Sequence, residues 1–168
     1  LSGTPLPATL AATLAVGLVC GIWNGLLVAV LKIQPIVATL ILMVAGRGIA
    51  QLITEGAILT FNDPGLAYLG SGALFGIPVP ILALVLVALD VGLTVRRTAL
   101  GLLLESVGIN RTASTLAGVR TRFLLIAVYA LSGLTAAIAG IIVAADIRGA
   151  DANNAGLWLE LDAILAAV

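Results

Sequence analysis

Four stretches of roughly 20 nearly uncharged residues dominate the chain, and a bilayer core about 30 Å thick takes roughly that length of apolar helix. They run over about 8–31, 36–53, 77–93 and 123–145. Inside lipid, backbone N–H and C=O groups must be satisfied within a helix or a closed barrel, and runs of this length are helical rather than barrel strands. The sequence therefore predicts an all-α membrane protein, a polytopic transmembrane helical bundle with about four spans. Composition agrees: 61% of residues are hydrophobic and 10% charged, against about 25% charged in ordinary soluble domains. Pro5 and Pro7 precede the first span, Pro35 opens the second, and Pro78 and Pro80 lie in the opening turn of the third. A missing N–H does least harm in a first turn.

Basic residues set the orientation, because cytoplasmic loops retain Lys and Arg. Lys32 lies between spans one and two, and Arg96, Arg97, Arg111, Arg120 and Arg122 lie between spans three and four. The links over 54–76 and 146–162 hold Arg148 alone against Glu55, Asp63, Asp146, Asp151, Glu160 and Asp162. The expected topology places the 94–122 loop in the cytoplasm, the 54–76 and 146–162 loops in the periplasm, and Leu1 and Val168 toward the outside. Leu1 is not a methionine and Val168 stops within an apolar run, so both ends are expected to be cut ends of a longer chain. No basic n-region precedes the first span, so it reads as a span and not a cleaved leader.

Several function classes drop out on composition. Eight basic and eight acidic residues cancel to zero net charge, which leaves no surplus to hold a phosphate backbone, so nucleic acid is not an expected partner. Cys20 is the single cysteine and there is no histidine. Disulfides and Cys/His metal sites are thereby excluded within the chain, and the commonest general base is absent. No G-x-x-x-x-G-K-[ST] phosphate cradle exists, so any ATP and Mg²⁺ would be bound by another subunit. No nucleophile–base pair is present, and no catalytic, cofactor or metal residue is assigned.

Small residues recur every fourth position in two spans: Thr13, Gly17, Gly21, Gly25 and Ala29 in the first, Ser132, Ala136, Gly140 and Ala144 in the fourth. That spacing puts each set on one face, where a neighbouring backbone can approach closely, and both are expected to be packing faces of the bundle.

A few polar residues interrupt the apolar spans. At about 1.5 Å per residue from Pro35, Arg47 lies roughly 18 Å along the second span. It either faces a cavity or counter-charge or snorkels to the outer headgroups, and Gln51 one turn later favours a shared polar lining. Asn24, beside Trp23, is expected to make an interhelical hydrogen bond. In the 146–162 segment, Asp146, Arg148, Asp151, Asn154, Trp158 and Glu160 gather carboxylates, an amide and an indole. Such groups suit a polyhydroxylated ligand; they also suit Ca²⁺, without matching an EF-hand spacing, or a solvated loop.

The 94–122 loop is the most informative stretch. It opens on Arg96-Arg97-Thr98, passes through Leu100, Leu102, Leu103 and Leu104, and changes character at Gly108. Residues 110–118 predict a two-turn helix with Asn110 as N-cap and Gly118 just past its end. So short a helix needs packing against its own protein, lipid or a partner.

Trp23-Asn24-Gly25, Lys32-Ile33-Gln34-Pro35-Ile36-Val37-Ala38-Thr39-Leu40, Gly46-Arg47-Gly48, Val107-Gly108-Ile109-Asn110 with Ala117-Gly118-Val119, and Leu131-Ser132-Gly133-Leu134-Thr135-Ala136-Ala137-Ile138-Ala139-Gly140 are similar to stretches of the permease subunits of sugar-type bacterial ABC importers, the ribose permease family. The 146–158 run resembles members that carry galactofuranose. The resemblance covers almost the whole chain. It implies a non-enzymatic subunit, multi-pass in the bacterial inner membrane, that pairs with a second permease subunit. It also implies a monosaccharide substrate received from a periplasmic sugar-binding protein, and a separate cytoplasmic ABC ATPase. Asn110, Arg111, Ala113, Ser114, Leu116, Ala117 and Gly118 would then form a coupling helix seated on that ATPase, and the outer loops would face the binding protein. Further spans before Leu1 and a glycine-rich stretch after Ala167 are expected on the same ground. Another sugar, a nucleoside or a branched-chain amino acid remains an alternative cargo. An ion-coupled carrier would need a midplane carboxylate, and only Asp90, too near the cytoplasmic end, is available. A purely structural anchor would leave the capped helix and the outer polar run unexplained.

Overall fold

The computed structural model describes residues 5–61, 63–74, 76–154, 156 and 159–167. Leu1, Val168 and Trp158 lie outside these, as does the side chain of Glu160. Four helices are long and apolar enough to cross a membrane: α1 (Leu6–Ala29), α2 (Pro35–Thr54), α4 (Val79–Arg97) and α7 (Thr121–Ile147). The chain is a multi-pass, predominantly helical membrane protein. Between these helices lie α3 (Pro64–Ser71), α5 (Ala99–Ile109) and α6 (Arg111–Leu116), and α8 (Leu159–Ala167) follows.

Prolines open four of the helices: Pro7, Pro35, Pro64 and Pro80 sit at the first or second helical position. Asp63 caps α3, its carboxylate accepting the Gly65 amide at 2.9 Å. Both α2 and α7 end in a non-glycine left-handed residue, Glu55 at φ 52° and Arg148 at φ 53°.

Three segments expected as loops are more structured than that. Residues 54–76 hold α3 and two short strands, β1 (Leu59–Thr60) and β2 (Ala73–Leu74). Ile77 and Pro78 do not open the third span; as β3 they pair with β2, and α4 begins at Val79. Residues 94–122 are mostly helical, because the leucines after Thr98 form α5. Gly101 makes the α4–α5 elbow feasible, since a Cβ there would overlap the Val95 carbonyl. The end of the 146–162 segment is likewise taken up by α8.

The centre of the bundle is the antiparallel α1–α7 pair. A Cβ on Gly17 would lie 2.7 Å from the Gly133 carbonyl oxygen, one on Gly21 would lie 2.9 Å from Ala130 Cα, and one on Gly25 would lie 2.8 Å from Ile126 Cα. The backbones touch because these side chains are missing. The α1 stripe thus packs as expected, but the α7 stripe does not meet it. Contact on α7 runs through Ile126, Tyr129, Ala130, Gly133 and Ala137, and Gly140 faces open space.

β1 pairs antiparallel with β4 (Gly149–Ala150), Leu59 opposite Ala150 and Thr60 opposite Gly149. The far ends of α2 and α7 are thereby joined. At the opposite end, α6 reaches the last residue of α1, and α5 packs against α6 and α7. No residue of α4 is buried, and Leu84, Leu86, Leu52 and Ile53 are widely exposed. Such apolar helix surface requires lipid or further helices.

Candidate functional site: a furrow along the second helix and a tethered short helix

Two adjoining hollows share Cys20, Thr39 and Leu42 and form one furrow among α1, α2 and α7. The stretch nearer the β1–β4 end, about 510 Å³, is lined further by Met43, Gly46, Arg47, Ala50 and Ala152. The other stretch, about 270 Å³, reaches Asn24, Tyr129, Ser132 and Ala136. On α2 the lining positions 39, 42, 43, 46, 47 and 50 follow helical spacing, so one face of α2 forms the wall. Arg47 is half-buried in that wall.

Gln51, one turn beyond Arg47, is not among the described lining residues. Its Nε2 donates to Asn153 Oδ1 at 2.8 Å, and Asn153 Nδ2 donates to the Gly56 carbonyl at 3.4 Å. These bonds, with β1–β4, hold residues 149–153 across the end of α2, where Ala152 lines the furrow. Asp151 shapes that turn: its Oδ1 accepts the Asn153 amide at 2.9 Å and its Oδ2 accepts Asn154 Nδ2 at 2.8 Å. The Asn153 amide first, then the Asn154 side chain, hold the carboxyl below its ordinary value of 3.8 against a smaller opposing effect of desolvation. Asp146 and Arg148 are exposed, and Arg148 contributes its carbonyl to the Phe61 amide at 3.2 Å. Asp90 is exposed on α4.

Asn24 departs from the expectation of an interhelical bond. Its side chain is 8% exposed and its Oδ1 accepts no hydrogen bond. A buried acceptor left in this state costs about 1–3 kcal/mol. Sequence reasoning also passed over Asn153, Thr39, Ser132 and Tyr129. Ser132, on the four-residue stripe of α7, lines the furrow.

At the other end, α6 is short and heavily tied. Asn110 Oδ1 accepts the amides of Thr112 and Ala113, both at 3.0 Å. Ser114 is buried, its Oγ 2.9 Å from the Ser106 carbonyl oxygen and 3.0 Å from that of Asn110. Thr115 Oγ1 lies 3.2 Å from Thr121 Oγ1, and Arg111 Nη2 donates to the Ala29 carbonyl at 3.4 Å. Gly118 takes φ +86° just past the helix. With one side fixed to α1, α5 and α7, the other side presents Leu116, 86% exposed, together with Ala113, Ala117 and Ile109.

The family model for the permease component of the branched-chain amino acid transport system matches residues 1–168. The chain belongs to that family. It is 62% identical over 168 residues to the galactofuranose transporter permease protein of Escherichia coli K12, covering 100% of this chain and 49% of that one. It is 43% identical over 160 residues to the fructose import permease protein of Bifidobacterium longum NCC 2705, covering 92% and 45%. It is 35% identical over 162 residues to the ribose import permease protein of Escherichia coli K12, covering 94% and 50%. The chain thus spans about half the length of these relatives. No solved structure matches it.

Proposed function

We propose that this chain is part of the transmembrane subunit of an ATP-driven importer that moves a monosaccharide, galactofuranose first, across the bacterial inner membrane. The identity with the galactofuranose transporter permease protein along the entire chain carries this reading. The fructose and ribose import permeases among its relatives support a sugar over the amino acid in the family description. The chain itself is no enzyme; ATP and Mg²⁺ belong to a cytoplasmic ABC ATPase, and sugar is delivered by a periplasmic binding protein to a pair of permease subunits.

In this reading the α6 end is cytoplasmic, as the arginines around it favour, and α6 is the docking helix for the ATPase. Leu116 is the support: a large apolar side chain on a rigidly held two-turn helix is an anchor awaiting a pocket. The β1–β4 end is periplasmic and faces the binding protein, with Asp146, Arg148, Asp151 and Asn154 nearby, and Arg47 and Gln51 mark the outer reach of the sugar path.

The test uses the full-length permease assembled with its ATPase and binding protein in membrane vesicles. Leu116→Asp combined with Ala117→Asp is expected to leave membrane insertion intact and reduce ATP-dependent galactofuranose uptake at least tenfold. Uptake at the unsubstituted rate would refute the docking role of α6.

A further inference from the structure

We infer that Asn24, Thr39, Ser132 and Tyr129 form an inner binding station of the furrow for a neutral polyhydroxylated ligand, with Asn24 Oδ1 as the acceptor for one of its hydroxyls. This rests on the transport reading above and adds to it the place and the chemistry of recognition.

The station lies deep toward the α6 end. Asn24 stands five residues before the last residue of α1 and Thr39 four residues after the first of α2, about 6–8 Å inside each helix end at 1.5 Å per residue. Its groups are matched to donors. Asn24 Oδ1 has both lone pairs unused and is more than nine-tenths buried. The Thr39 hydroxyl proton is committed to its own helix, 3.0 Å from the Ile36 carbonyl oxygen and 3.1 Å from that of Pro35. Thr39 Oγ1 therefore offers the ligand a lone pair. Ser132 adds a hydroxyl of either sense, and Tyr129 lies beside it in the wall.

The same lining excludes other cargoes. No charged residue is among the described groups of this stretch, Arg47 belonging to the outer one. A zwitterionic amino acid would find no group of opposite charge among these lining residues for its ammonium or its carboxylate, whereas neutral hydroxyls match the acceptors there. A sugar brings several donors and no charge. The hollow, about 270 Å³ and continuous with about 510 Å³ more, is on the scale of small-molecule sites, about 300–1,000 Å³.

Cys20 sits where the two stretches meet and is half-buried, so it reports on occupancy. In the full-length transporter with all cysteines outside this chain replaced, the rate of Cys20 modification by a small methanethiosulfonate is measured in proteoliposomes. The additions are galactofuranose, ribose, fructose or leucine. Galactofuranose is expected to slow modification severalfold and leucine to leave it unchanged. Asn24→Leu is expected to abolish that protection and raise the KM for uptake about tenfold, the loss of one buried hydrogen bond. Uptake of galactofuranose without protection of Cys20 overturns the station and leaves the transport reading standing. A Cys20 that never reacts also overturns it, since the furrow would then be closed. Protection and uptake with leucine alone overturn both. The protection measurement needs no substitution at Asn24, so it decides even where Asn24→Leu fails to assemble.

Discussion

Gln51 and Asn153 lie 102 positions apart, yet a single 2.8 Å bond joins them. It fixes the turn over the mouth of the furrow to α2. Asn153→Ala removes both that bond and the one to Gly56, so it is expected to speed proteolytic cutting within 149–156 severalfold while the long helices stay intact. Asp151 supports the same turn. Its folded carboxyl titrates below the ordinary value of 3.8, so its contribution is complete above that value and lost as pH falls through the lower folded one. Protection of the Asn153 amide from exchange, its rate corrected for the intrinsic pH dependence, is expected to be constant between about pH 8 and 5 and to fall only below about pH 4. Glu55 offers a test of backbone strain. A left-handed non-glycine residue costs about 1–2 kcal/mol, so Glu55→Gly is expected to raise thermal stability, by somewhat less than that because the unfolded chain gains freedom. Residue chemistry of this kind was only partly legible beforehand. Arg47 stood out because a charge within an apolar run is rare, whereas Asn153 is one amide among several and only the fold selects it over Asn154.

The helices themselves were the most legible level. Hydropathy and proline placement located the long apolar segments to within a few residues, and the Asn110 to Gly118 pattern marked a short capped helix whose cap geometry is observed. Pairing was not legible. Small residues occur around much of α7, so four-residue spacing alone favours Ser132 to Ala144 as much as the face through Gly133 and Ala137. What decides between them is the partner: Tyr129 and Ile126 cover Gly25, which only a docked α1 reveals. The two-residue strands were invisible because so short a stretch shows no alternation. The α1–α7 seam makes a definite prediction. Gly21→Leu forces a side chain against the Tyr129 and Ala130 backbone and is expected to destabilise the bundle by about 1–3 kcal/mol, read as a lower melting temperature in detergent. Gly140→Leu, directed into open space, is expected to change it little.

For the whole molecule, charge asymmetry and shape agree on two distinct ends. Lys32, Arg96, Arg97, Arg111, Arg120 and Arg122 gather near the α1–α2 turn, α5 and α6, while Glu55, Asp63, Asp146 and Asp151 gather near the paired strands. An impermeant maleimide is therefore expected to label Thr112→Cys only from the cytoplasm and Asn154→Cys only from the periplasm; the reverse would invert the proposed topology. The β1–β4 pair also dictates an order of events at the ribosome. Thr60 meets Gly149, so about ninety further residues must be made first, an interval of roughly 5–20 s at about 5–20 residues per second. Through that interval the glycine face of α1 lacks α7, the helix that packs on it in the finished fold. α1 is thus made long before α7, the helix whose backbone its glycines meet, and that glycine face waits for as long as translation of the middle of the chain takes.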